Sequence, residues 1–160
     1  MDHITSKVFK DLPGFKEKLS KWRKYGTKLV FTNGCFDLLH AGHIDYLSRA
    51  ADLGDVLIVG LNTDASVRRL KGMGRPVNDQ HSRAILLASL GFVDAVVYFE
   101  DDTPFSLIEA ILPDVLVKGG DYKEAEIVGS DIVKAKNGKV VAIDFLEGYS
   151  TSATIQKIRN

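Results

Sequence analysis

Along this chain, short apolar runs alternate with stretches whose apolar residues recur every three or four positions. Asp55–Leu61 (Asp-Val-Leu-Ile-Val-Gly-Leu) is almost continuously apolar, the pattern of a strand buried on both faces of a parallel sheet. Lys28–Asn33, Ala95–Phe99, Val115–Lys118 and Lys139–Phe145 read as further strands. Between them the helical period governs. Phe15, Leu19 and Trp22 predict an amphipathic helix over Gly14–Tyr25, stopped by Gly26. Further helices are predicted over Ile44–Leu53 (closed by Gly54), Thr63–Leu70 and Asp79–Leu90, the last capped by Asn78 or Asp79. Pro104–Leu112 has a proline in its first turn and Pro113 beyond its end, the usual placing of proline around a helix. Ser130–Lys136 and Thr151–Ile158 are also helical, whereas Lys71–Val77, rich in Gly and Pro, is a loop.

Strands alternating with helices imply right-handed crossovers and a parallel sheet covered on both faces. The expected fold class is therefore α/β, with about five parallel strands. Residues 27–160 form the domain, and residues 1–26 an N-terminal extension and helix packed on it. Such sheets bind ligands outside the carboxyl ends of their strands. Asn33–His43, Asn62–Asp64, Lys118–Tyr122 and Leu146–Ser152 are then expected to share one rim.

Composition changes this picture only by exclusion. The 160 residues are 45% hydrophobic and 26% charged with zero formal net charge, so no basic field draws nucleic acid to the chain. The single cysteine, Cys35, excludes an internal disulfide framework and a cysteine-based zinc site, and fits a cytoplasmic setting. No window approaches the roughly 18 apolar residues of a membrane span, and Met1–Pro13 carries no apolar signal core.

The candidate chemistry lies first in Thr32-Asn33-Gly34-Cys35-Phe36-Asp37-Leu38-Leu39-His40-Ala41-Gly42-His43, between a strand and a helix start. Free backbone N–H groups and the helix dipole favour an anion there, and two imidazoles add donors for a phosphoryl group. Taken alone, two histidines three apart also fit capping or surface roles; a metal site would need a further ligand. Gly42 would let a ligand approach the backbone. Asp37 reads as a loop-fixing residue or a plain cap. Lys71 and Arg75, in a glycine-punctuated loop, suit a clamp closing on phosphates or a solvated basic turn. Gly119-Gly120 fits a flat ligand or a tight turn, and Asp121 a ribose hydroxyl or a metal ion. Ser150-Thr151-Ser152 is both an N-cap and a phosphate cradle.

The run Gly34–His43 resembles the signature of the cytidylyltransferase-like nucleotidyltransferase superfamily, a Rossmann-like fold. Asn62-Thr63-Asp64, Arg69-Leu70-Lys71-Gly72, Gly74-Arg75-Pro76-Val77, Val93-Asp94, Leu112–Tyr122 and Gly148-Tyr149-Ser150-Thr151-Ser152 are similar to one branch, the adenylyltransferase domain of bacterial heptose kinase/adenylyltransferases. The resemblance covers roughly residues 27–158. It implies that His40 and His43 bind the triphosphate and stabilise the transition state, with Lys71 contacting phosphate. The Thr32–Phe36 backbone (Thr32, Asn33, Gly34, Cys35, Phe36) would line the phosphate and sugar sites, beside Asp37 and Gly42. Gly119 and Asp121 would serve the nucleoside, and Ser150, Thr151 and Ser152 the triphosphate. Asp64, Arg75 and Arg83 would face the substrate, although Arg83 also fits a surface helical position.

The implied reaction transfers the adenylyl group of ATP, with Mg²⁺ on the triphosphate, to D-glycero-D-manno-heptose 1-phosphate. ADP-heptose and pyrophosphate result, on the way to lipopolysaccharide core or another surface glycan. The alternative is a glycerol-3-phosphate cytidylyltransferase, which typically carries Arg-Thr before Glu-Gly; here Phe145-Leu146 stand there. A module that senses ATP without turnover is the non-enzyme reading, and the two histidines with Lys71 argue against it. The expected partners are small molecules, ATP and a sugar 1-phosphate, with no nucleic acid and no membrane; a homodimer is left open. With residues 1–26 ahead of the first strand, a sugar kinase is expected on a separate polypeptide.

Overall fold

The apolar runs of the sequence become six parallel strands in a computed structural model, which describes residues 1–120 and 122–159. In chain order the elements are α1 (Asp2–Thr5), β1 (Val8–Phe9), α2 (Leu12–Lys24), β2 (Leu29–Gly34), α3 (Ala41–Ala51) and β3 (Val56–Asn62). There follow α4 (Asp64–Lys71), α5 (Gln80–Ala88), β4 (Ala95–Phe99), α6 (Phe105–Ile111) and β5 (Val115–Gly119). A 3-10 turn (Glu124–Glu126), α7 (Ser130–Ala135), β6 (Lys139–Ile143) and α8 (Thr151–Arg159) complete the fold. The sheet order is β1-β4-β3-β2-β5-β6. One strand more than expected is present: β1, two residues paired with Val96 and Val97 at the sheet edge. Residues 1–26 therefore supply an edge strand between two helices.

Alternation along β3 sends Val56 and Ile58 to one face and Leu57, Val59 and Leu61 to the other, which is why the run is apolar throughout. The first face packs on Phe15 and Leu19 of α2, on α6 and on Val133 of α7. The second packs on Tyr46, Leu47 and Ala50 of α3 and on Ala84 and Leu87 of α5. An aspartate precedes each of β3, β4 and β5, and each accepts a backbone N–H at the start of a neighbouring strand. Asp55 takes Lys28 N–H at 2.7 Å, Asp94 takes Leu57 at 2.8 Å and Asp114 takes Leu29 at 2.7 Å. The amino edge of the sheet is thus pinned, and the carboxyl edge is left for chemistry.

The chain runs outward through β2, β3 and β4, then returns to place β5 on the other side of β2. The switch point, where a ligand crevice is expected in such sheets, lies between β2 and β5. The histidine segment leaves β2 and Gly119-Gly120 leaves β5. Among the described residues, no helix is long and apolar enough to cross a membrane.

Candidate active site

At the switch point the carboxyl edge opens into a cleft of about 640 Å³. Its walls include Asn33, Cys35, His43, Lys71, Lys118 and Ser150. The loop between β2 and α3 is shaped by Phe36, which adopts a left-handed backbone (φ 44°) and folds its ring back over Gly34. A Cβ at Gly34 would lie 2.9 Å from that ring, so glycine is required there to let the loop turn.

The two imidazoles stack with centroids 3.9 Å apart and planes 22° apart. Tyr149 extends the stack on the His40 side at 6.0 Å, and the Phe36 ring meets His43 edge-on at 5.4 Å. His43 lines the cleft; His40 forms the start of α3 beside it. Burial and the neighbouring His40 hold the His43 pKa down to about 4, and burial lowers that of His40. Both rings are therefore neutral near pH 7. Among the described residues, both Nδ1 atoms are buried without a hydrogen-bond partner. An anion arriving at the rings would favour their charged form.

Asp37 is a buried hub. Its Oδ2 accepts Arg75 Nε at 2.6 Å, while Oδ1 accepts the backbone N–H of Val77 at 2.7 Å and of Asn78 at 3.0 Å. This ties residues 75–78 to the histidine loop and commits Arg75, a wall residue, to an internal ion pair. Lys71 is the last residue of α4, one position before the loop proper, and its exposed side chain reaches the cleft.

Besides His40, four described residues expected in the site do not line the cleft. Arg83, fully buried, donates to Cys35 O at 2.6 Å, Asp64 Oδ1 at 2.7 Å and Asn78 O at 3.1 Å. With these acceptors it braces the loop from behind, and Asp64 is its partner. Thr32 is fully buried and shares a 2.6 Å hydrogen bond with Tyr46 OH. Gly42 is needed for a neighbour, not a ligand: a Cβ there would lie 3.0 Å from Tyr149 Cβ and 3.1 Å from His40 Nδ1.

The remaining described residues line the cleft. Cys35 is half-buried, and burial raises its pKa, so it stays a thiol and not a nucleophile. Gly119 carries the Phe145 ring, which a Cβ would meet at 2.4 Å. Asp121 lies outside the described residues. Ser150 caps α8 by accepting the N–H of Ala153 at 3.4 Å, and Thr151 donates its hydroxyl to Leu38 O at 3.3 Å. Ser150, Thr151 and Ser152 thus sit beside the start of α8 on the cleft wall. Among the described residues, no group of three or more His, Cys, Asp or Glu is gathered to hold a metal ion. Sequence reasoning put Lys118 and Tyr149 within rim segments but gave no site role to either or to Phe145. Lys118 did carry a signal, since it is the charged residue at the carboxyl end of the apolar strand Val-Leu-Val-Lys-Gly.

A parallel sheet whose switch point joins a two-histidine helix start to a glycine turn defines a nucleotidyltransferase-type α/β domain. The chain belongs to the cytidylyltransferase-like family, whose model matches residues 31–157. It is 60% identical over 144 residues to the bifunctional protein HldE of Wolinella succinogenes, covering 89% of this chain and 30% of that protein. It is 55% identical over 156 residues to bifunctional protein HldE of a Nitratiruptor species, covering 98% and 33%. The chain thus spans about a third of the length of the curated relatives it matches. Among solved structures, a lipopolysaccharide core biosynthesis protein from Thermoplasma volcanium superposes with a TM-score of 0.62 at 28% identity, covering 78% of this chain and 100% of that one. A pantoate-beta-alanine ligase from Francisella tularensis shares the fold, with a TM-score of 0.60 at 18% identity over 91% of this chain and 68% of that one.

Proposed function

We propose that this domain transfers the adenylyl group of ATP to D-glycero-D-manno-heptose 1-phosphate, giving ADP-heptose and pyrophosphate for lipopolysaccharide core or another surface glycan. The observation that carries this reading is the juxtaposition of the stacked His40–His43 pair, the start of α8 and Lys71 around one cleft. The similarity to the HldE proteins and to a lipopolysaccharide core biosynthesis protein supports the choice of sugar.

An oxygen of the sugar's phosphate attacks the α-phosphorus of ATP in line. As that bond forms, the bond from the α-phosphorus to the bridging oxygen breaks, and pyrophosphate leaves with the electron pair. Such a transfer is governed by positioning and electrostatic stabilisation. His40 and His43 would donate to the α- and β-phosphate oxygens, Lys71 would close on the phosphates, and Ser150, Thr151 and Ser152 would hold the outer phosphates. With no protein carboxylate cage gathered among the described residues, Mg²⁺ would enter as part of the ATP substrate, held by phosphates and water. The transfer is read as direct, with Cys35 a thiol and not a nucleophile. The reading places the reaction in the cytoplasm, where ATP is supplied. It takes a sugar kinase acting upstream and a homodimer as partners, the latter read by sedimentation.

The test is a matrix of nucleoside triphosphates against sugar and polyol phosphates, scored by pyrophosphate release. ATP with heptose 1-phosphate is expected to be fastest. If CTP with glycerol 3-phosphate outperforms it, the reading is overturned.

A further inference from the structure

The cleft straddles the carboxyl edge of the sheet, and its two sides differ in chemistry. On the α3 face lie His43, Tyr46, Phe145 and the start of α8. On the α6 face lie Thr103, Lys118, Tyr122 and Glu126. Strand alternation sets this division: Leu116 packs in the core with α2, α6 and α7, and Lys118, two residues on, shares its face. Gly119 points the other way, toward Tyr46 and Phe145.

Lys118 is half-buried, with its ammonium 5.8 Å from the centre of the Tyr122 ring. Among the described residues it has no carboxylate partner. Burying an ammonium is unfavourable unless an anion meets it. Burial, the largest cause, and repulsion from Lys71 both lower its pKa. Lys71 also lines a smaller hollow with Ser152 and Ile155 of α8, whereas Lys118 lies on the α6 face, a distribution that suits two anions better than one. A reaction in which a phosphomonoester attacks a triphosphate brings two anions together and needs a cation on each.

We propose that the α6 side of the cleft is the acceptor's binding site, with Lys118 pairing with the phosphomonoester of the sugar and aligning its attacking oxygen. Thr103 and Glu126 provide hydroxyl and carboxylate partners for the hydroxyls of a polyol or sugar. The ATP triphosphate then takes the histidine side. This assignment rests on the proposed reaction and names the residue that selects a phosphorylated acceptor.

The test compares the wild type with Lys118→Gln and Lys118→Arg. Losing one charged hydrogen-bond partner is expected to raise KM for heptose 1-phosphate by about 10- to 100-fold. ATP affinity, from equilibrium titration, is expected to stay unchanged, and Lys118→Arg to recover part of the loss. If Lys118→Gln shows no turnover, thermal protection replaces kinetics: ATP should protect both proteins, and heptose 1-phosphate only the wild type. An unchanged acceptor KM, or a loss confined to ATP binding, overturns the assignment. If the wild type instead uses another phosphomonoester, the choice of heptose fails, and the Lys118 assignment is judged on the KM for that acceptor.

Discussion

Replacing Arg83 with methionine separates a brace behind the site from a contact within it. The guanidinium is fully buried and donates to one carboxylate and two backbone carbonyls. Methionine keeps much of the volume but leaves Asp64 without its cation and the Cys35 and Asn78 carbonyls without this donor. Each charged hydrogen bond is worth about 1.5–3 kcal/mol, and the terms overlap because they share one group. Removing one partner of a buried pair costs about 3–5 kcal/mol. For a chain of this size each kcal/mol lowers Tm by about 2–4 °C, so a fall of about 6–20 °C is expected in a thermal melt or the equivalent urea shift. Arg83→Met/Asp64→Asn should recover part of the loss, with a coupling of about 0.5–3 kcal/mol. A variant with wild-type Tm and a raised acceptor KM would refute this reasoning and return Arg83 to the substrate.

His40→Ala and His43→Ala are each expected to lower kcat by about 10²–10³-fold with the circular dichroism spectrum retained; near wild-type turnover in both would remove them from the chemistry. Because His43 titrates at about 4 in the fold against 6.5 ordinarily, its contribution to stability is complete above pH 6.5 and is lost as pH falls toward 4. The full difference corresponds to about 3 kcal/mol, reduced to about 1–2 kcal/mol because the ring is partly open to solvent. Urea midpoints at pH 7 and pH 4.5 should show that extra loss in the wild type and not in His43→Asn. Gly54→Ala would set a Cβ 2.6 Å from Val30 Cγ2 and 2.8 Å from Lys28 O; a loss of about 1–3 kcal/mol with kcat unchanged is expected by denaturation and assay. Gly119→Ala should displace the Phe145 ring, raising KM for ATP while Tm stays near that of the wild type.

The central strands were legible because burial on both faces leaves a continuous apolar run, as in Val56–Asn62. The parallel order followed from alternation with helices. β1 was not legible, since two residues carry no period and form a strand only through Val96 and Val97. Arg83 shows a deeper limit. An arginine on an amphipathic helix reads as surface or substrate-facing, and only the fold reveals acceptors from three separate segments converging on it. Gly42 was singled out for the approach of a ligand; the group the structure brings close to it is Tyr149, more than a hundred positions along the chain. Lys118 was passed over because it ends an apolar strand, where attention falls on the glycines that follow.

The Asp37 hub has a consequence for chain entropy. The connection from α4 to α5 spans residues 72–79, yet Arg75, Val77 and Asn78 are moored to one carboxylate. Only residues 72–74 lie between Lys71 and the moored stretch, closed into a turn by Arg75 N–H donating to Gly72 O at 3.1 Å. Closing a tether of that length costs about 1 kcal/mol less than closing the whole connection, by the logarithmic dependence on length. Asp37 therefore acts on Lys71 without touching it, by shortening the range of positions over which the ammonium must search.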